Sequence, residues 1–161
     1  MAPIQPQTIQ LEAFHVVGYR LEATVQEFEA GLGQATYDAL VNCKHELPSG
    51  IQDEILLIQI YPEGEKFDPK VDTFSHIIGY RTADVVEVPS ELIIHHIEKS
   101  TYVQYTHVGP ESALDETYDY LYQDWIPSQG YELQDYDFEV WGTAYQPESE
   151  ANEIEVYIAI K

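Results

Sequence analysis

Glu139 and Trp141 place a carboxylate and an indole two residues apart, in a stretch where polar and apolar residues alternate. In a β-strand this spacing puts both side chains on one face, together with Asp137 and Tyr145. Aromatic ring faces attract cations, and a carboxylate beside them adds a full counter-charge. The pattern therefore predicts a site for a flat, hydrophobic and positively charged organic compound. The alternative is an exposed edge strand, on which Glu139 is an ordinary solvated residue.

The aromatic residues are concentrated in the second half of the chain. Nine of the thirteen tyrosines lie from Tyr102 onward, and both tryptophans, Trp125 and Trp141, lie there as well. Because aromatic side chains supply large flat surfaces, Tyr102, Trp125 and Tyr145 join Glu139 and Trp141 as candidate ligand-binding residues. The asymmetry indicates a site in the second half. The alternative is a core that is simply rich in tyrosine.

Other reactive residues form weaker patterns. His95, His96 and Glu98 could suggest a metal site, but neighbours on a strand face opposite ways, and Cys43 is the only cysteine. The sequence contains no Gly-x-Ser-x-Gly elbow and no complete glycine fingerprint for a nucleotide. We therefore expect no metal and no cofactor, and we disfavour a serine hydrolase or a nucleotide-dependent enzyme.

The net charge restricts the partners. The 161 residues include 29 acidic against 7 basic side chains, a formal charge of -22. This charge repels a phosphate backbone, which excludes direct nucleic-acid binding, whereas it attracts a cationic ligand. No apolar run reaches membrane-spanning length and no signal-peptide pattern begins the chain, so we expect a cytoplasmic protein without membrane contact. Length and composition predict a single domain over residues 1–161.

An internal repeat predicts the elements that must position these residues. Segment 36–40 reads Thr-Tyr-Asp-Ala-Leu and segment 117–121 reads Thr-Tyr-Asp-Tyr-Leu. The same offset aligns other stretches, so two copies, at about 10–82 and 91–161, each predict the order strand, helix, strand, strand. The offset pairs Ile58 with Glu139 and Ile60 with Trp141. On this interpretation, a carboxylate and an indole have replaced two isoleucines of one scaffold.

Periodicity and turn residues locate the elements. Apolar residues recur with helical spacing within 26–42 and between Pro110 and Pro127, which predicts two helices. About six strand-like stretches accompany them, and twin Val/Ile-Gly-Tyr-Arg segments at 17–20 and 78–81 are interpreted as structural. Two helices with several strands predict an α+β fold, in which both helices cover one face of an antiparallel sheet and the other face is free to form a site.

The chain resembles the GyrI-like small-molecule-binding family, also known as the AraC-type effector-binding domain and related to the multidrug-binding domain of MerR-class regulators. The residues that carry the resemblance are 102–110 (YVQYTHVGP), 117–118 (TY) with Leu121, 125–131 (WIPSQGY) and 138–141 (FEVW). The resemblance covers nearly the whole chain. It implies duplicated β-α-β-β units that form a concave antiparallel sheet with two helices on one face, and a ligand cleft opposite the helices. It also implies that the residue at Glu139 meets the charge of lipophilic cations, and that this chain is a stand-alone domain.

Three functions follow from the residues and the resemblance together. The first is capture of hydrophobic, cationic aromatic compounds for sensing, sequestration or resistance. The second is hydrolysis of cyclopropane-bearing DNA-alkylating compounds, as in some similar stand-alone proteins, with Glu139 as general base and Tyr102 or Tyr145 as proton donor. The third is inhibition of DNA gyrase by an acidic protein, in which case gyrase or a separate regulator is a protein partner.

Overall fold

The computed structural model describes residues 5–47, 51, 54–62, 67–68, 70–82, 88–142, 146 and 148–161. Within these residues the chain forms one eight-stranded antiparallel sheet, with two helical segments packed on one of its faces. This arrangement is the α+β fold that the sequence predicts.

The sheet consists of a block of three adjacent strands from each half of the chain, and each half adds one edge strand beside the block of the other half. The strands are β1 (Gln7–Leu11), β2 (Phe14–Ala23), β3 (Ile55–Ile60), β4 (Phe74–Thr82), β5 (Ile93–Ile97), β6 (Ser100–Val108), β7 (Leu133–Trp141) and β8 (Glu153–Ile160). Their spatial order is β1-β6-β8-β7-β3-β4-β2-β5. Strands β3 and β7 thus meet at the centre, one from each half, and each edge strand pairs with a strand of the opposite half.

Each half contributes one helical segment. The first consists of α1 (Val25–Glu27), a π-helical turn at Phe28–Leu32, α2 (Gly33–Cys43) and a 3-10 turn at Lys44–Glu46. The second consists of a 3-10 turn at Glu111–Ala113, α3 (Leu114–Asp119), a π-helical turn at Tyr120–Trp125 and α4 (Ile126–Gln129). No helix in the described part of the chain is long and apolar enough to cross a membrane.

Local sequence sets where these segments begin and end. The Thr24 hydroxyl accepts a hydrogen bond from the backbone N–H of Glu27, and the Glu27 carboxylate accepts one from the N–H of Thr24, so the first segment begins with a capping box. Gly130 ends the second segment in the left-handed conformation, at φ 75°, which glycine adopts at little cost. Pro127 does not end the helix as predicted, because it lies in the first turn of α4, where a missing N–H is tolerated.

The two faces of the sheet carry separate hydrophobic cores. The core under the helices includes Leu40 of the first helical segment and Leu121 of the second, packed on strand residues such as Leu57. On the opposite face the described core consists of strand residues, among them Ile58 and Phe138. Because both faces are buried, β3 is an almost continuous apolar run rather than an alternating one.

The repeat offset, which is 81 residues from segment 36–40 to segment 117–121, is wrong at the centre of the sheet. Leu57, not Ile58, is the cross-strand partner of Glu139, and Ile58 lies in the core of the opposite face. A shift of one residue reverses the face of every side chain in a strand. The interpretation that Glu139 and Trp141 replaced Ile58 and Ile60 therefore fails, because those isoleucines belong to the other core.

Candidate functional site

Two carboxylates lie side by side on β7, beneath the helices. Asp137 is 0% exposed and Glu139 is 3% exposed. Both face the helix-covered side of the sheet, where tyrosines of the second helical segment contact them. Acidic residues are almost never fully buried unless an opposite charge compensates them or they serve a function. This pair is therefore the candidate functional site.

Asp137 accepts three hydrogen bonds, from both halves of the chain. The side-chain amide of Gln59 donates to Oδ1 at 2.8 Å. The hydroxyls of Tyr61 and Tyr122 donate to Oδ2 at 2.6 and 2.5 Å. Gln59 is the cross-strand partner of Asp137, and Tyr61 directly follows β3, so the register of the central strands delivers both first-half donors.

Glu139 accepts one hydrogen bond from the helix and one from its own strand. The Tyr118 hydroxyl donates to Oε2 at 2.6 Å, and the Trp141 indole donates to Oε1 at 3.0 Å. Gln59 also donates to the Tyr118 hydroxyl oxygen at 3.2 Å, which joins the two carboxylates in one network. Tyr118 and Tyr122 lie one helical turn apart, so a single face of the second helical segment supplies one donor to each carboxylate.

Every donor in this network is neutral. None of the ion pairs between described residues involves either buried carboxylate. Burial raises the pKa of Asp137 to about 6 and that of Glu139 to about 7, although the tyrosine, amide and indole donors oppose the rise. Burial and the nearby carboxylates also raise the pKa of Tyr118 well above its usual value. Above neutral pH the site therefore holds negative charge that no described basic residue neutralises.

Aromatic rings from both halves surround the carboxylates. Tyr118 and Tyr122 stack with their centroids 6.2 Å apart and an interplanar angle of 19°. Tyr37 of α2 approaches the Trp141 ring at 5.9 Å. The ring centroid of Tyr61 lies 5.1 and 5.9 Å from those of two phenylalanines of the first half. The candidate site thus lies between the two halves, rather than in the second half alone as the tyrosine distribution indicated.

An open cleft of about 540 Å³ adjoins the network at Tyr61 and Tyr122. Its other lining residues are Pro62, Leu133, Gln134, Asp135 and Lys161. Because the hydroxyls of Tyr61 and Tyr122 both bond to Oδ2 of Asp137, these two rings separate the cleft from that carboxylate. Glu139 lies two residues further along β7, beneath Tyr118.

The structure brings together only part of the predicted residue set. Glu139 and Trp141 share one face and one hydrogen bond, as strand alternation predicts. Tyr102 lies in the core of the opposite face, where its hydroxyl bonds to that of Tyr136 at 2.7 Å. The expectation of a Glu139 site opposite the helices is wrong, because the register of β7 turns this carboxylate toward them.

The remaining predicted residues lie elsewhere. Trp125 packs at the margin of the helix-side core, with its ring 6.1 Å from that of Tyr131. Tyr145 lies outside the described residues.

Sequence reasoning missed the donors that hold the carboxylates. Strand alternation puts Asp137 on the same face as Glu139, so the pattern that selected Glu139 could also have selected Asp137. Gln59 interrupts an apolar strand, and a polar residue in such a run is a recognisable signal of a buried network. Tyr118 and Tyr122 recur at helical spacing, but nothing in the sequence separates them from ordinary half-buried helix tyrosines.

The chain belongs to the GyrI-like family. The family described as GyrI-like small molecule binding domain matches residues 4–161, nearly the whole chain. No curated protein matches the sequence significantly.

Solved structures share this fold at low sequence identity. The structure of SAV2435 bound to tetraphenylphosphonium aligns with a TM-score of 0.71 at 18% identity, covering 98% of this chain and 94% of that chain. The EcmrR C-terminal domain aligns with a TM-score of 0.70 at 16% identity and 98% coverage of each chain. A hydrolase from Listeria innocua aligns with a TM-score of 0.59 at 14% identity, covering 98% and 92%. At these identities the likenesses establish the fold.

Proposed function

We propose that this protein binds hydrophobic aromatic cations, with ionised Glu139 as their counter-charge and Trp141 with the nearby tyrosines as stacking surfaces. The observation that carries the proposal is the pair of buried carboxylates whose hydrogen-bond donors are all neutral. An ionised carboxylate that is removed from water without a cation is unfavourable. A cationic ligand therefore gains stabilisation here that the described protein side chains do not supply.

Ligand entry requires movement, because Glu139 is almost fully buried. Its cover is Tyr118 of α3, which is followed at once by the π-helical turn Tyr120–Trp125. A π turn interrupts the regular helical hydrogen-bond pattern and frequently occurs at functional sites. We place the movement in this part of the second helical segment, where a shift carries both Tyr118 and Tyr122 away from the carboxylates.

The comparisons support the ligand class. Membership of a small-molecule-binding family agrees with a binding role, and SAV2435 holds the lipophilic cation tetraphenylphosphonium on the same fold. The formal charge of -22 adds a field that attracts cations. The proposal places this binding in the cytoplasm, where it serves sensing, sequestration or resistance.

Tetraphenylphosphonium binding tests the proposal by isothermal titration calorimetry at pH 8, where Glu139 is ionised. The variants are Glu139→Gln and, as a charge-matched control, Glu153→Gln, which changes an exposed carboxylate on β8. We expect Glu139→Gln to weaken binding about tenfold or more and Glu153→Gln to change it less than about twofold. Equal affinities of wild type and Glu139→Gln would reject Glu139 as the counter-charge.

Hydrolysis of cyclopropane-bearing compounds is the second candidate function. A pKa of about 7 suits Glu139 as a base that takes a proton from water near neutral pH, and a hydrolase from Listeria innocua has the same fold. The Tyr118 hydroxyl, 2.6 Å from Glu139, is a nearer proton donor than Tyr102. Mass spectrometry of such a compound after incubation should show a ring-opened product one water heavier, and Glu139→Gln should abolish it. Absence of that product with wild type would reject hydrolysis of the compound.

Gyrase inhibition stays a prediction that depends on the acidic charge. A supercoiling assay with purified gyrase tests it. Unchanged supercoiling at high protein excess would contradict it.

A further inference from the structure

We propose that Asp137 gives the site a preference for aromatic dications, in which one positive group lies at Glu139 and a second at Asp137. This inference rests on the proposed function, because it requires that cations enter the same site. It adds a ligand class, compounds with two ammonium groups at opposite ends of one aromatic ring, and a specificity-determining residue.

The two carboxylates are separate acceptors at a defined spacing. Residues two apart on a strand point to the same side about 6.7 Å apart, so Asp137 and Glu139 can each contact one end of a single ring system. Each has its own donors: Gln59 and two tyrosines for Asp137, Tyr118 and Trp141 for Glu139. A monocation at one carboxylate leaves the other buried charge uncompensated, whereas a dication neutralises both.

Asp137 is also the carboxylate nearer to the open cleft. Tyr61 and Tyr122 line the cleft and both donate to Asp137 Oδ2, so rotation of either ring connects the cleft with this carboxylate. Glu139 lies deeper, behind Tyr118. A ligand that enters from the cleft therefore passes Asp137 before it reaches Glu139.

His76 is a third buried acceptor. It lies in one row of cross-strand partners with Asp137 of β7 and Gln59 of β3, and it favours ligands that carry N–H groups. His76 is the cross-strand partner of Gln59 and is 1% exposed. Its Nε2 lies 3.1 Å from the Ala23 carbonyl, to which it donates, and its Nδ1 has no hydrogen-bond partner. This row thus has a hydrogen-bond acceptor at each end, the Asp137 carboxylate and Nδ1 of His76. An ammonium group can donate N–H bonds to these acceptors, whereas a quaternary cation has no N–H to donate.

The test compares two ligands of matched shape, 1,4-bis(aminomethyl)benzene as the dication and 4-methylbenzylamine as the monocation. Affinities are measured by isothermal titration calorimetry at pH 8 for wild type, Asp137→Asn, Glu139→Gln and the control Glu153→Gln. We expect wild type and Glu153→Gln to bind the diamine about tenfold more tightly than the monoamine. Asp137→Asn should reduce this preference to about twofold or less and change monoamine affinity less than about threefold.

The outcomes separate this inference from the proposed function. If Asp137→Asn keeps the full diamine preference while Glu139→Gln weakens both ligands, the role of Asp137 is overturned and the proposed function stands. If Glu139→Gln binds both ligands as wild type does, the proposed function itself fails. The amide of Asp137→Asn keeps the size of the side chain and an oxygen for the tyrosine hydroxyls.

Ligand spacing gives a second test that needs no variant. On wild type, 1,3-bis(aminomethyl)benzene carries the same charge with its ammonium groups closer together. The 1,4 isomer should bind about fivefold or more tightly than the 1,3 isomer. Equal affinities for the two isomers would overturn the two-point arrangement even if Asp137→Asn does not fold.

Discussion

The hydroxyl of Tyr118 donates a 2.6 Å hydrogen bond to Oε2 of Glu139 and so ties the second helical segment to the central strand β7. A hydroxyl-to-carboxylate bond of this length is in the charge-assisted range, which is stronger than a neutral hydrogen bond. The position of the helix and the charge of the carboxylate are therefore linked. A cation that takes over Glu139 competes with the bond that holds the helix closed.

Removal of the Tyr118 hydroxyl should destabilise the fold in a pH-dependent way. Tyr118→Phe deletes a donor that favours ionised Glu139, so the free energy of unfolding should fall by about 1–3 kcal/mol at pH 8 and by less at pH 5, where Glu139 is protonated. Urea unfolding at both pH values measures the effect. Tyr120→Phe, which changes an exposed tyrosine of the same segment, is the control and should stay within about 0.5 kcal/mol of wild type. Equal losses for Tyr118→Phe at the two pH values would contradict the link.

The unliganded protein should become less stable as pH rises from about 5 to 8. Burial raises the pKa of Glu139 from 4.5 to about 7, so between these values the folded state holds a proton that the unfolded state has released. The free energy of unfolding is highest below the unfolded pKa, and on the order of 2–3 kcal/mol is lost as pH rises through the folded pKa. Thermal or urea unfolding across this range measures the slope.

Glu139→Gln is the control for that slope, because it removes the titrating group and keeps the side-chain size. The variant should retain only the smaller decline caused by Asp137, whose pKa of about 6 acts in the lower part of the range, and by general charge repulsion. A slope as steep as that of wild type would show that Glu139 does not titrate in a buried environment.

The sequence predicted the composition of the β7 face but not its surroundings. Alternation correctly put Asp137, Glu139 and Trp141 on one side, because a period of two is local information. Which side the helices cover depends on packing between distant elements, and so the tyrosine partners were missed. The repeat offset failed because a one-residue difference between the copies is hard to see in a sequence alignment. In the sheet, the same difference moves every side chain of the strand to the opposite face.

The twin Gly-Tyr-Arg segments have a structural explanation that agrees with their interpretation from sequence. Gly18 and Gly79 are direct cross-strand partners in the β2–β4 pair. A Cβ added at Gly18 would overlap the Ile78 carbonyl, and one added at Gly79 would overlap the Val17 carbonyl. The two glycines therefore allow an unusually close approach of the strand backbones.

Gly79→Ala should destabilise the protein on the order of 3 kcal/mol, because backbone atoms must move apart to admit the methyl group. Gly142→Ala is the matched control, since among the described residues an added Cβ there comes within 4 Å only of the flexible end of the Glu54 side chain, at 3.3 Å. Urea unfolding of both variants measures the difference. A loss for Gly79→Ala no larger than that for Gly142→Ala would contradict the close contact between β2 and β4.

The affinity for tetraphenylphosphonium should rise as pH increases through about 7. Only ionised Glu139 provides the counter-charge, so below its pKa a proton must leave before the cation binds, and affinity at pH 6 should be about tenfold lower than at pH 8. The reciprocal effect is proton release on binding, which calorimetry at pH 6.5 detects as a dependence of the binding heat on the ionisation enthalpy of the buffer. Glu139→Gln should bind weakly at every pH and release no proton from this residue. If wild-type affinity instead changes only around pH 6, Asp137, whose pKa is about 6, provides the counter-charge for this monocation and Glu139 does not.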